Sequence, residues 1–98
     1  MSDLLWPGDH RAGDLFTDAA IRDAMLRVES AWSRALVEHG VAPADALVSV
    51  DQVGSAAADL DLDQLSAEAE AGGNPVIPLI SALRKGLSPI AASWLHRG

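Results

Sequence analysis

Gly72-Gly73-Asn74-Pro75-Val76-Ile77-Pro78-Leu79-Ile80 is the stretch from which the rest of the chain is read. Two glycines permit backbone angles that a Cβ would forbid. Asn74 is suited to cap a helix by accepting from its free N–H groups, and Pro75 suits a first helical position, where no N–H is needed. Pro78 sets two alternatives. If Asn74 caps, Pro78 lies one turn in and removes a backbone hydrogen bond; otherwise regular helix begins only at Pro78. Either way the spacing predicts an apolar helix, closing near Lys85, with an amide and several free N–H donors at its mouth. Such a mouth suits an anionic ligand, and it equally suits a plain helix-to-helix turn.

Working outward, every strong signal is helical. Thr17 or Asp18 should cap a long first helix, and Ile21, Ala24, Met25, Val28, Ala31, Trp32, Ala35 and Leu36 recur at three- and four-residue intervals. That face is expected to point inward, with Met25 and Trp32 in the core and Arg22, Asp23, Arg27, Glu29, Ser33, Arg34 and Glu38 mostly off it. Gly40 and Pro43 mark its end, where His39 should meet the helix carbonyls. Pro43 is expected to open a second helix through Val53, with Ala46, Leu47, Val50 and Val53 inward and Gly54 as its stop. Asp61 with Gln64 reads as a capping box for a helix that ends at Gly72 and turns Leu62, Leu65 and Ala69 inward. Arg84 and Lys85 suit the negative end of the helix after Asn74, and Gly86 closes it. Ser88-Pro89 starts a last helix with Ile90, Ala91 and Trp94 inward, and His96 lies at its end. Met1 to Gly13 has no helical period, and Trp6 to Asp9 reads as a turn.

Composition narrows the function. The chain has 98 residues, no cysteine and a net charge of −7. A disulfide framework and thiolate metal sites are thereby excluded. The acidic balance argues against nucleic acid or an anionic membrane as partner. Neither a signal peptide nor an apolar run of membrane-spanning length is visible, so a cytoplasmic protein is expected. Asp59, Asp61 and Asp63 alternate, but Gln64 stands where a calcium loop needs glycine. Glu68 and Glu70, two apart on a helix, diverge and read as a solvated face. The scattered histidines offer no metal spacing, so neither metal nor cofactor is expected.

Three stretches carry a resemblance. Gly72 to Leu83 resembles the corresponding segment of the 3-carboxy-cis,cis-muconate cycloisomerase family, within the fumarase/aspartase/adenylosuccinate lyase superfamily. Asp14 to Asp18 followed by Met25 to Ala35 resembles the superfamily's opening helix. Trp94 to Gly98 resembles the lead-in to its Thr-Ser-Gln-Asp motif. The resemblance implies an all-α fold in which short helices surround one long amphipathic helix. Residues 1–98 would form the N-terminal helical domain of a longer, homotetrameric enzyme that lactonises a small tricarboxylate in protocatechuate degradation by the β-ketoadipate pathway. It implies substrate contacts from Asn74, His10 and Arg11, with Trp6 as a wall, and a hydrogen-bonding or proton-handling His96. The acid/base Ser of the superfamily lies on a downstream loop outside this sequence, so residues 1–98 alone are expected to be inactive. Without the resemblance, His10 and Arg11 read equally as solvated loop residues and His96 as a helix-terminal histidine. An adenylosuccinate lyase-type segment and a stand-alone helical interaction module are the alternatives; Asn74-Pro75 departs from the His-Asp that such lyases carry there.

Overall fold

The computed structural model describes residues 4–98. Met1, Ser2 and Asp3, part of the stretch expected to be irregular, lie outside the described residues. Among the described residues all regular structure is helical: α1 (Asp18–Glu38), α2 (Val50–Ala56), α3 (Leu62–Gly72), α4 (Val76–Lys85) and α5 (Pro89–Trp94), with single 3-10 turns at Asp9–Ala12 and Ala44–Ala46.

The helix ends follow the local chemistry. Thr17 Oγ1 accepts from the Ala20 N–H at 3.1 Å and starts α1. Gly40, at φ 71°, closes it, because its N–H returns to the Val37 carbonyl and the next two N–H groups to Leu36. Asp61 caps α3 by accepting from Asp63 and Gln64. Ser88 caps α5, with Pro89 at its first position. The capping box belongs elsewhere, however. The Gln64 side chain donates to Glu68 rather than returning to Asp61, while Ser49 and Gln52 form a reciprocal box at the start of α2. Gly72 is the last residue of α3 rather than its stop, and Gly73, at φ 92°, makes the reversal.

Two expectations about packing are overturned. First, α1 turns a different face inward. Leu26, Glu29, Ser30, Ser33 and Leu36 are buried, whereas Ile21, Val28 and Trp32 are 44%, 64% and 43% exposed. Met25 is half-buried against the main core, but Trp32 is not a core residue. Second, no helix runs from Pro43 to Val53. After one 3-10 turn the chain extends through Leu47 and re-enters helix at Val50, and Gly54 lies inside α2.

These two departures share one cause. An extended, buried link has backbone groups that no helix satisfies. Ser33 Oγ accepts from the Val48 N–H at 2.9 Å and faces the Ala46 carbonyl at 3.3 Å; Ser30 Oγ donates to the Val48 carbonyl at 2.9 Å. The serine face of α1 therefore turns inward to meet the link. The register change puts Val48 in the core at 1% exposure and leaves Leu47 and Val50 outside.

The main core joins Leu26 of α1, Val48, Val53 and Ala57, Leu65, Leu79, Ile80 and Leu83 of α4, and Ala91 and Leu95. A smaller cluster of Leu36, Ala42 and Ala46 carries Trp94 against it. In α5, Ala91 and Trp94 face inward as expected, whereas Ile90 is exposed. Gly86 lets α2 approach the end of α4: a Cβ there would lie 3.0 Å from Ala56 Cα. The chain is elongated, with a radius of gyration of 15.4 Å against about 13 Å for a compact domain of 100 residues. Part of that length is the N-terminal arm, whose Leu4, Leu5, Trp6, Leu15 and Phe16 are all at least 69% exposed. No described helix is long and apolar enough to cross a membrane.

Candidate functional site

The mouth of α4 differs from its expected chemistry. Asn74 Oδ1 accepts from the Val76 N–H at 2.9 Å and the Ile77 N–H at 3.4 Å. Pro75 and Pro78 have no N–H. The first four positions of this mouth therefore offer no free backbone donor, and the expected anion cradle of N–H groups is not formed. Pro75 has helical angles but stands at the cap, one residue before the expected first position; Val76 is the first residue of α4. Pro78 cannot bond back to the Asn74 carbonyl, so the first helical bond runs from the Leu79 N–H to Pro75 at 3.2 Å. What Asn74 retains for a ligand is its side-chain N–H2, held in place by the two bonds its oxygen accepts. It is exposed, as is Ile77 beside it.

His10 and Arg11 sit on the 3-10 turn Asp9–Ala12, both exposed. The turn before them closes through the Asp9 N–H and the Trp6 carbonyl at 3.0 Å, and Gly8 takes φ 85°. Arg11 folds back toward Gly8, so a Cβ there would lie 3.4 Å from Arg11 Nη1.

His96 is placed by tertiary structure. It follows α5 at φ 58°, the one described non-glycine residue with positive φ. Its Nδ1 lies 2.6 Å from Glu29 Oε1, across 67 residues of sequence. The His96 side chain is 52% exposed and that of Glu29 6%. Several contacts hold this terminal segment. Arg84 donates to the carbonyls of Ala92 and Leu95, at 3.2 and 3.1 Å, rather than serving its own helix end. Trp32 Nε1 donates to the Arg97 carbonyl at 2.7 Å, and the Arg97 guanidinium stacks 4.3 Å from the Trp94 ring centre. Leu95 fills the core at 1% exposure. A shallow depression of about 270 Å³ opens here between Val28, Glu29, Trp32, His96 and Gly98.

Glu29 was not expected. The apolar periodicity placed it among the off-face residues of α1, yet it is 5% exposed, and its Oε2 is buried with no hydrogen-bond partner. The signal for it in the sequence is its place beside Ser30 and four residues before Ser33, in a second stripe of α1 that also takes in Leu26 and Leu36.

The candidate residues do not converge within this chain. Neither Asn74, His10, Arg11 nor Trp6 lines the depression at His96. A hollow of about 510 Å³ between α3 and α4 is bordered by Asp59, Asp61 and Glu68 with Lys85 as its one cation, and contains none of the candidates. Its charge is of the wrong sign for a polycarboxylate. Among the described residues no group of three or more His, Asp or Glu is placed to hold a metal ion. No protein-family model matches this chain, and no solved structure matches it.

Proposed function

We propose that this chain serves as the N-terminal helical part of a 3-carboxy-cis,cis-muconate cycloisomerase, a homotetrameric member of the fumarase/aspartase/adenylosuccinate lyase superfamily. The observation that carries this reading, beside the likeness of Gly72 to Leu83, is the outward face of α1. Ile21, Val28 and Trp32 form an apolar stripe that the chain's own core leaves on the surface, and such a stripe suits a helix made to be covered in a larger assembly. Dispersed candidates fit the same picture, because sites in this superfamily are completed by several subunits.

In the reaction, one carboxylate of the triacid attacks a double bond of the same molecule. The C–O bond forms as the π electrons move onto the neighbouring carboxylate as an enolate-like charge, and a proton then reaches carbon. The protein's task is to orient a flexible triacid, stabilise that charge and supply the proton. The side-chain N–H2 of Asn74 is a neutral donor that can position a carboxylate. Arg11 offers a fork that matches a carboxylate with two parallel bonds, with His10 and Trp6 beside it. His96 presents an imidazole, whose ring nitrogens can donate or accept a hydrogen bond.

A graft tests this. Residues 1–98 replace the equivalent segment of a 3-carboxy-cis,cis-muconate cycloisomerase, and lactonisation is followed by loss of the substrate's diene absorbance. The chimera is expected to be an active tetramer, the chain alone inactive, and a matching graft into an adenylosuccinate lyase inactive. A well-folded tetrameric chimera without lactonisation overturns the proposal.

One observation favours a second reading, a self-sufficient helical interaction module: Leu79, Leu83, Leu95, Val48 and Val53 are all below 2% exposed, a closed core. Cooperative thermal unfolding of a monomer would support the module. Self-association or a broad transition would support the incomplete assembly.

A further inference from the structure

We infer that Glu29 is a positioning residue that fixes which nitrogen of His96 exchanges protons. This rests on the proposed function only in giving His96 a ligand to serve.

A buried carboxylate with one oxygen lacking any partner is a costly arrangement, and it demands a reason. Here the reason lies 2.6 Å from the other oxygen, at His96 Nδ1. With Oε2 unsolvated and unbonded, the hydrogen bond at Oε1 is the main compensation available to the carboxylate, so it holds the Nδ1 proton firmly. The backbone is arranged to make this bond. His96 takes a left-handed conformation that side chains rarely adopt, and the segment around it is tied down by Arg84, by Trp32 and by buried Leu95. A half-exposed histidine free to choose its partners would need none of this.

The consequence concerns the opposite edge of the ring. With Nδ1–H committed to Glu29, the neutral ring carries its lone pair on Nε2. Any proton taken from or given to a ligand therefore passes through Nε2, whose charged form offers one N–H to a carboxylate and whose neutral form accepts from an acid. The ring lines the depression between Val28, Trp32 and Gly98, where Gly98 lies so close to the indole that a Cβ would stand 3.1 Å from Trp32 Cζ2. A small carboxylic acid with an apolar body suits that lining.

The test is the tautomer of His96 in the ¹⁵N-labelled chain, read from two-bond ¹H–¹⁵N correlations at a pH where the rings are neutral. Exposed His10 and His39 serve as references in the same spectrum. His96 should show a protonated Nδ1 and a bare Nε2, unlike the references. Glu29→Met removes the acceptor with little change of volume and should convert His96 to their pattern. If that variant unfolds, Glu29→Gln, which keeps the shape but not the charge, should still lower the Nδ1–H population. A wild-type His96 protonated on Nε2 alone, or a tautomer unchanged in the variants, overturns the inference. In an active graft, Glu29→Met should also lower kcat about 10- to 100-fold, taking as the guide the loss on removing the partner behind a metal-bound imidazole. The tautomer is read without catalysis, so an inactive graft with the native Nδ1–H form would sink the cycloisomerase reading and leave this inference standing.

Discussion

Ser33→Ala is the sharpest probe of how this chain folds. Ser33 is 6% exposed, and its hydroxyl accepts from the Val48 N–H at 2.9 Å. Alanine leaves that N–H buried without a partner, at a cost of about 1–3 kcal/mol. Alanine is also the better helix former, which returns up to about 0.5 kcal/mol. The net loss is then about 0.5–2.5 kcal/mol, and at roughly 4–8 °C per kcal/mol for a domain this size a mid-range value lowers Tm by about 6–12 °C. The control is Val28→Ala. The apolar periodicity puts Val28 on the inward face, where truncation costs about 1 kcal/mol or more. At 64% exposure it should instead stay within about 0.5 kcal/mol of the parent. Thermal and urea unfolding followed by circular dichroism measure both. If Val28→Ala proves the more damaging of the two, α1 packs its Val28 face inward, and the Ala46–Val48 link is not what orients the helix.

Three further outcomes are expected. Gly86→Ala would set a Cβ 3.0 Å from Ala56 Cα and Cβ, so it should destabilise by about 1–3 kcal/mol through overpacking; unchanged unfolding would show that α2 and α4 have room to part. Leu83→Ala, at a residue 0% exposed, should cost about 2–5 kcal/mol in the same assay, and a smaller loss would mean the core collapses around the gap. Asn74→Ala should cost only about 1 kcal/mol of stability yet lower turnover of the active graft; unchanged kinetics would return Asn74 to a purely capping role.

The helix start after Asn74 is legible in the sequence, but its expected chemistry changes once hydrogen bonds are assigned. Free N–H donors are inferred from the position of a helix start. Whether they remain free depends on the side chain beside them, and Asn74 uses both. In the same way, two prolines that punctuate the sequence also remove the donors an anion would need. Trp32 shows a different limit. Its spacing with Val28 and Met25 is a sound amphipathic signal, yet periodicity reports that a face is apolar and not which surface it meets.

Composition and local order in the sequence decided the all-helical class and most helix ends: Thr17, Gly40, Asp61 and Ser88-Pro89 each act on groups within five residues. Such interactions are written in consecutive side chains and need no partner from elsewhere. Tertiary structure alone decided which face of α1 is buried, because the choice belongs to an extended link 13 to 18 residues away whose backbone had to find hydrogen-bond partners. It alone also joined Glu29 to His96, since a buried carboxylate finds its partner through space, and 67 residues of intervening chain leave no pattern that local spacing could reveal.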